Sequence, residues 1–141
     1  MRLNIQKMLS FSELGVGENV LKAIQELGFI EPTPIQQQAI PVLLADETDF
    51  IGLAQTGTGK TAAFGLPILE LTDLRIPTTQ ALILAPTREL CVQIANDLAK
   101  YGKFHRAANI TAVYCGANIV QQNQKNKKGS QIVVATPGRL L

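Results

Sequence analysis

The sequence predicts an α/β domain, a parallel sheet with helices on both faces, built around a phosphate-binding loop. Two observations predict it. Short apolar runs at 50–53, 81–85, 110–114 and 131–135 alternate with stretches of helical length, the pattern of strand–helix crossovers in a parallel sheet. The first run also leads directly into Ala54-Gln55-Thr56-Gly57-Thr58-Gly59-Lys60-Thr61, a tight glycine turn followed by a helix start.

Composition bounds the answer. With 46% hydrophobic residues, and seven Pro and eleven Gly spread over 141 residues, the chain is one globular domain or part of one. Disorder, repeats and low complexity are excluded. Met1 to Phe11 lacks the apolar stretch of a signal peptide, and no run approaches membrane-spanning length. Two distant cysteines, Cys91 and Cys115, give neither a metal site nor a disulfide framework, so the expected compartment is the reducing cytoplasm. Charge is asymmetric: residues 1–97 hold 11 acids and 6 bases, residues 98–141 hold 7 bases and no acid. Two readings of that basic part stand, a nucleic-acid face or a solvated surface carrying Lys125, Lys127 and Lys128.

In chain order, residues 1–10 read as an extension. Val20, Leu21, Ile24 and Leu27 recur at helical spacing, with Gly28 as the stop. Gly28-Phe29 leads to Pro32-Thr33-Pro34-Ile35-Gln36, in which Thr33 reads as N-cap, Pro34 as the first helical residue and Gln36 as the third, a capping box. Gln36 has two readings here. Its amide returns to the Thr33 backbone, or it pairs with the N6–H and N7 edge of adenine. Pro41 is expected to interrupt the helix that follows.

At the glycine turn, Gly57 and Gly59 allow the backbone N–H groups to approach an anion, and the helix opening there adds its positive end. Lys60 is placed to reach terminal phosphates and Thr61 to ligate Mg²⁺. Beyond the loop, residues 62–74 read as a helix kinked at Pro67, and 81–85 as a strand buried on both faces. Pro86-Thr87-Arg88-Glu89-Leu90 opens a helix whose core stripe is Leu90, Cys91, Ile94 and Leu98. His105 reads as a solvated loop residue. A third strand at 110–114, a polar helix from Ile119 to about Lys125, a fourth strand at 131–135 and a helix opening at Thr136-Pro137-Gly138-Arg139 complete the pattern.

In such sheets ligand-binding loops leave the carboxyl ends of strands. Those ends carry the glycine loop, Pro86 to Leu90, Cys115-Gly116-Ala117 and Thr136 to Arg139. Helix N-termini with Arg88 and Arg139 suit a row of phosphates, and threonine and proline equally suit ordinary caps. Nucleotide hydrolysis also needs a strand-end carboxylate to hold Mg²⁺ and order water. None of the four strands ends in Asp or Glu, and no acid follows Asp97. The apolar pair Leu140-Leu141, placed where Pro137 has begun a helix, makes the chain read as a truncated domain.

Together these stretches resemble the amino-terminal RecA-like domain of DEAD-box ATP-dependent RNA helicases from Phe11 to Leu141. Gly28-Phe29 and Pro32 to Gln36 resemble the Q motif, with Phe11 at the place of its adenine-stacking aromatic 17 residues upstream of Gly28. Ala54 to Thr61 is similar to motif I, which accounts for Ala54 where commoner loops have Gly. Pro86 to Leu90 resembles motif Ia, and Thr136 to Arg139 motif Ib.

The resemblance implies a RecA-like P-loop NTPase domain over 11–141. It implies that Phe11 and Gln36 contact adenine, that Ala54, Gln55, Thr56, Gly57, Thr58, Gly59, Lys60 and Thr61 hold the phosphates of ATP or ADP, and that Lys60 and Thr61, with Mg²⁺, serve catalysis. Pro86, Thr87, Arg88, Gly116, Thr136, Pro137, Gly138 and Arg139 would face the RNA backbone. The family usually has a Gly-Gly pair after the third strand, whereas here Gly116 is followed by Ala117. The Asp-Glu-Ala-Asp motif and the second RecA-like domain, the partner of this one, would lie beyond Leu141. The expectation is therefore nucleotide binding without turnover by these residues, with RNA clamping and duplex unwinding in the whole protein. A non-catalytic adenine-nucleotide-binding regulatory module is the rival. A GTPase or small-molecule kinase is disfavoured, since no Asn-Lys-x-Asp guanine reader is present and about fifty residues precede the loop.

Overall fold

A computed structural model describes residues 7–45, 48–105, 108–116 and 129–141. Turns over residues 11–15 lead into α1 (Glu18–Glu26), which buries Val20, Ala23 and Ile24 and places Glu18 in its first turn, where a carboxylate complements the helix dipole. Its end closes as Gly28 implied. The Gly28 N–H donates to the Gln25 carbonyl and the Phe29 N–H to the Ile24 carbonyl, both at 3.0 Å, a Schellman closure.

Helix α2 (Pro34–Ala45) runs through Pro41, against the expectation that Pro41 ends it. Proline removes one backbone donor, but Ala39 and Ile40 are buried as α2 packs along α3 (Lys60–Leu71), and that packing holds the helix. Pro67 lies within α3 and is fully buried. α3 stops at Leu71 rather than Leu74, where the Thr72 hydroxyl donates back to the Ile68 carbonyl at 2.6 Å.

Three strands, β1 (Ala81–Leu84), β2 (Ile110–Val113) and β3 (Ile132–Ala135), form a parallel sheet in the order β1-β3-β2 among the described residues. β3 is central, with Ile132 opposite both Ala81 and Ile110, and Ala135 opposite both Leu84 and Val113. Two expectations are corrected here. Phe50 to Leu53 joins no ladder among the described residues, leaving Ile51 90% and Leu53 92% exposed. A strand exists only through its partner's hydrogen bonds, and β1 pairs with β3 alone. β1 is consequently an edge strand with Ile83 buried and Leu82 and Leu84 exposed, not a strand buried on both faces.

Helix α4 (Arg88–Tyr101) covers one face of β2 and β3. Its N-cap is Thr87, whose hydroxyl accepts from the Leu90 N–H at 3.2 Å. The buried stripe is Cys91, Ile94, Leu98 and Tyr101; Leu90, expected with them, points toward the open flank of β1 and is exposed. The Cys91 thiol donates to the Val134 carbonyl at 3.1 Å, and burial pushes its pKa up. The core joins α1, α3, α4 and the sheet through Val20, Ile24, Leu66, Leu69, Leu98, Ile132 and Val134. After α4, Lys103 pairs with Glu26 of α1 at 2.6 Å. His105 is half-buried, not solvated, and its Nδ1 is enclosed. A short α5 (Pro137–Leu140) follows β3. The helix expected from Ile119 to Lys125 lies outside the described residues.

Candidate phosphate-binding and nucleic-acid site

The glycine loop has the backbone its sequence demands. Gly57 and Gly59 adopt φ of +77° and +78°, the left-handed region that costs an L side chain roughly 1–2 kcal/mol. Gly59 is also the N-cap of α3, so the first N–H groups of that helix have no partner within it and face the loop. Lys60 folds over the loop and donates to the Ala54 carbonyl at 2.8 Å. The Thr58 hydroxyl donates to the Gln55 carbonyl at 2.6 Å. Gln55, Thr56 and Gly57 are exposed, while Thr61, one residue into α3, is half-buried. This is an open, positively polarised concavity suited to a polyphosphate.

The start of α2 clasps that loop. Gln36 Oε1 accepts from the Thr33 N–H at 2.9 Å, the return bond of a capping box. Its Nε2 donates at the same time to the Gly59 carbonyl at 3.1 Å, and the Thr33 hydroxyl donates to the Thr58 carbonyl at 2.8 Å. Both functional groups of the Gln36 amide are thus engaged, and the side chain is only 2% exposed. A Cβ at Gly59 would collide with Gln36 Nε2. The bridging role of Thr33 was missed from sequence, where it counted only as a cap.

Phe11, the expected adenine-facing aromatic, is enclosed in this structure. Its ring is 3% exposed and packs against Phe29 at a centroid distance of 6.1 Å, with Phe29 on Tyr101 at 5.8 Å. In this structure Phe11 belongs to the core. Beside the loop, an apolar cavity of about 350 Å³ lies between α2, α3 and Phe50, lined by Ile35, Ala39, Leu43 and Phe64, with Lys60 at its edge.

A second group gathers at the carboxyl ends of the sheet strands. Arg88 opens α4 after β1, Gly116 follows β2 with φ +91°, and Thr136, Pro137, Gly138 and Arg139 follow β3. The Thr136 N–H donates to the Val113 carbonyl at 3.0 Å, tying the ends of β3 and β2 together. Thr136 Oγ1 does not cap α5 and is enclosed without a partner among the described residues. Pro86, Thr87, Arg88, Gly116, Pro137 and Gly138 are exposed and Arg139 is half-buried. The Arg88 guanidinium lies over the ring of Tyr114, 4.9 Å from its centroid. Sequence reading had taken Tyr114 only as the end of a strand. Lys125, Lys127 and Lys128 lie outside the described residues.

Comparison with known proteins places these features in a wider set. Residues 33–141 match the family model described as DEAD/DEAH box helicase. The chain is similar to the ATP-dependent RNA helicase CshA of Limosilactobacillus reuteri, 51% identical over 132 residues, covering 94% of this chain and 26% of that protein. It spans about a quarter of the length of the curated relatives it matches. Among solved structures it resembles a DEAD box protein from Methanococcus jannaschii, with TM-score 0.87 and 41% identity, covering 94% of this chain and 36% of the other. It also resembles S. cerevisiae Dbp5 bound to RNA and ADP BeF3, with TM-score 0.82 and 36% identity over 93% of this chain and 32% of the other.

Proposed function

The chain belongs to the DEAD/DEAH box helicase family, and from that premise we propose that it is the adenine-nucleotide-binding, RNA-facing part of an ATP-dependent RNA helicase. Residues 11–141 are part of its first RecA-like domain and residues 1–10 an extension. The observation that carries this reading is the clasp of Thr33 and Gln36 on Thr58 and Gly59. It puts a planar amide, the group suited to an adenine edge, in direct contact with the loop suited to phosphates.

The residues present fit such a ligand. Gly57 and Gly59 leave no side chain over the loop backbone, and the first turn of α3 supplies N–H donors and its dipole. Lys60 exchanges the Ala54 carbonyl for phosphate oxygens, a charge-assisted bond contributing roughly 1.5–3 kcal/mol. The Thr61 hydroxyl would hold Mg²⁺, which neutralises phosphate charge when bound. Gln36 turns its amide from Gly59 toward the adenine edge. Phe11, whose ring packs against Phe29 in this structure, is the aromatic proposed to face adenine beside Gln36. Arg88, Thr136 and Arg139, with the turns at Pro86-Thr87, Gly116 and Pro137-Gly138, hold the sugar-phosphate backbone of RNA. Water activation calls for a strand-end carboxylate, and no acid follows Asp97. The chain itself therefore binds nucleotide without turnover, and unwinding belongs to the whole protein together with a second RecA-like domain.

No helix among the described residues is long and apolar enough to cross a membrane, and we place the protein in the cytoplasm. The test is a calorimetric titration of the chain with ADP and with GDP, each with Mg²⁺, repeated on Gln36→Ala. ADP binding without GDP binding, weakened by the substitution, is the expected result. Equal binding of both nucleotides, unchanged in the variant, would leave Gln36 a helix cap and the loop a generic phosphate site.

A further inference from the structure

Tyr114 has no role in the reading above, yet the structure builds a contact around it. β1 and β2 are the outer strands of the sheet, with β3 between them. Arg88 opens the helix that follows β1, and Tyr114 directly follows β2. Their contact, at 4.9 Å from guanidinium carbon to ring centroid, therefore links the start of α4 to the residue after β2. The Val113 carbonyl, on the residue before Tyr114, accepts from Thr136 N–H, the first backbone donor after β3. Gly116 completes the arrangement. Its φ is +91°, and a Cβ there would already lie 3.4 Å from Arg88 Nη1.

A ring face and a carboxylate hold an arginine in different ways. A carboxylate takes up N–H donors of the guanidinium fork. A ring attracts the cation through its quadrupole without itself accepting the hydrogen bonds of the fork. Among the described residues, Glu13, Glu26, Asp73 and Asp97 form side-chain ion pairs with lysine or arginine, and none of these pairs involves Arg88. Arg88 is exposed, and a long exposed side chain loses rotamer freedom when it binds unless it is already ordered.

We propose that Tyr114 is a positioning residue for RNA binding: its ring holds the Arg88 guanidinium at the carboxyl edge of the sheet, where its N–H donors can meet a backbone phosphate. This rests on the reading of Arg88 as an RNA contact. It adds that the contact depends on a partner from a different strand, and that phenylalanine can replace tyrosine where an aliphatic residue cannot.

The experiment is a fluorescence-anisotropy titration of a labelled single-stranded oligouridylate with the wild-type chain, Tyr114→Phe, Tyr114→Leu, Arg88→Ala and the Tyr114→Leu/Arg88→Ala double variant. ADP affinity is measured alongside by calorimetry. Loss of the ring is expected to weaken RNA binding about two- to fivefold, the range of an exposed cation–π contact. ADP affinity is expected to be unchanged, Tyr114→Phe to bind RNA as wild type, and the double variant to bind no more weakly than Arg88→Ala. The proposal is overturned if Tyr114→Leu binds RNA as wild type, if its loss appears in full on the Arg88→Ala background, or if it loses ADP and RNA affinity in parallel. A wild-type chain that binds ADP but no RNA overturns the RNA reading itself and the proposal with it. That result is distinct from wild-type RNA binding that ignores Tyr114.

Discussion

At Gly59 three demands meet on one residue: a left-handed backbone, the N-cap of α3 and direct contact with Gln36. Gly57 shares the backbone conformation but faces open space. The two alanine substitutions should therefore separate conformational strain from steric conflict. Gly57→Ala is expected to cost about 1–2 kcal/mol. Gly59→Ala should cost more, because the Gln36 amide must leave the Gly59 carbonyl; the urea midpoints of the two variants decide it. Tyr101 offers a pH-dependent test. Burial, with a contribution from the Asp97 carboxylate, raises its hydroxyl from 10.0 to about 12. The native state thus keeps a proton that the unfolded chain gives up near pH 10. The resulting stabilisation is complete below pH 10 and is lost as pH rises from about 10 to 12. Tyr101→Phe keeps the ring against Phe29 and should flatten the alkaline limb of stability against pH, as followed by circular dichroism. Sequence made the residue types of the phosphate loop legible because their spacing is local. It did not show that Phe11 is enclosed or that Tyr114 lies under Arg88, since each fact depends on a partner at least 18 residues away in sequence, as with Phe29, or on another strand.

At the scale of elements, caps were legible and strand pairing was not. The Thr87 hydroxyl bonded to the Leu90 N–H, the Gln36 return bond and the closure at Gly28 are formed within six residues of chain. Residue identity alone signals such local bonds. Phe50 to Leu53 has strand composition but no ladder, and Pro41 has a breaker's composition inside a helix. In both places tertiary surroundings decide, by withholding a partner from the first and packing Ala39 and Ile40 around the second. α4 is the element on which the core and the RNA-facing group both depend, because it buries Leu98 at one end and starts with Arg88 at the other. Removing its cap with Thr87→Ala should cost about 1 kcal/mol. Leu98→Ala should cost about 2–5 kcal/mol by opening a cavity under α3. The cap variant should also weaken RNA binding by loosening the first turn, while the core variant lowers the melting temperature more and shifts RNA affinity less.

For the whole molecule, the exposed flank of the sheet beside β1 carries the largest physical consequence. Among the described residues β1 has no partner on its outer edge, with Leu82 55% and Leu84 56% exposed, and the segment before the phosphate loop exposes Ile51 and Leu53. Parallel sheets ordinarily bury such strands on both faces. An apolar edge with free N–H and C=O groups is a template for another strand. Between α3 and β1 a cleft of about 460 Å³ is lined by Phe64, Ile68, Leu82, Leu84 and Leu90. The chain should therefore self-associate as its concentration rises, even at ionic strengths that screen its small net charge of +2. Placing a charge on that edge with Leu84→Lys should keep it monomeric without touching the core, since Ile83 alone of the strand's middle residues is buried. Sedimentation velocity across a concentration series distinguishes the outcomes. Association in the wild type that vanishes in Leu84→Lys locates the contact on β1. Association of equal strength in both would move it to Ile51 and Leu53, the other exposed apolar strip, and the corresponding Leu53→Lys variant would then be the one that stays monomeric.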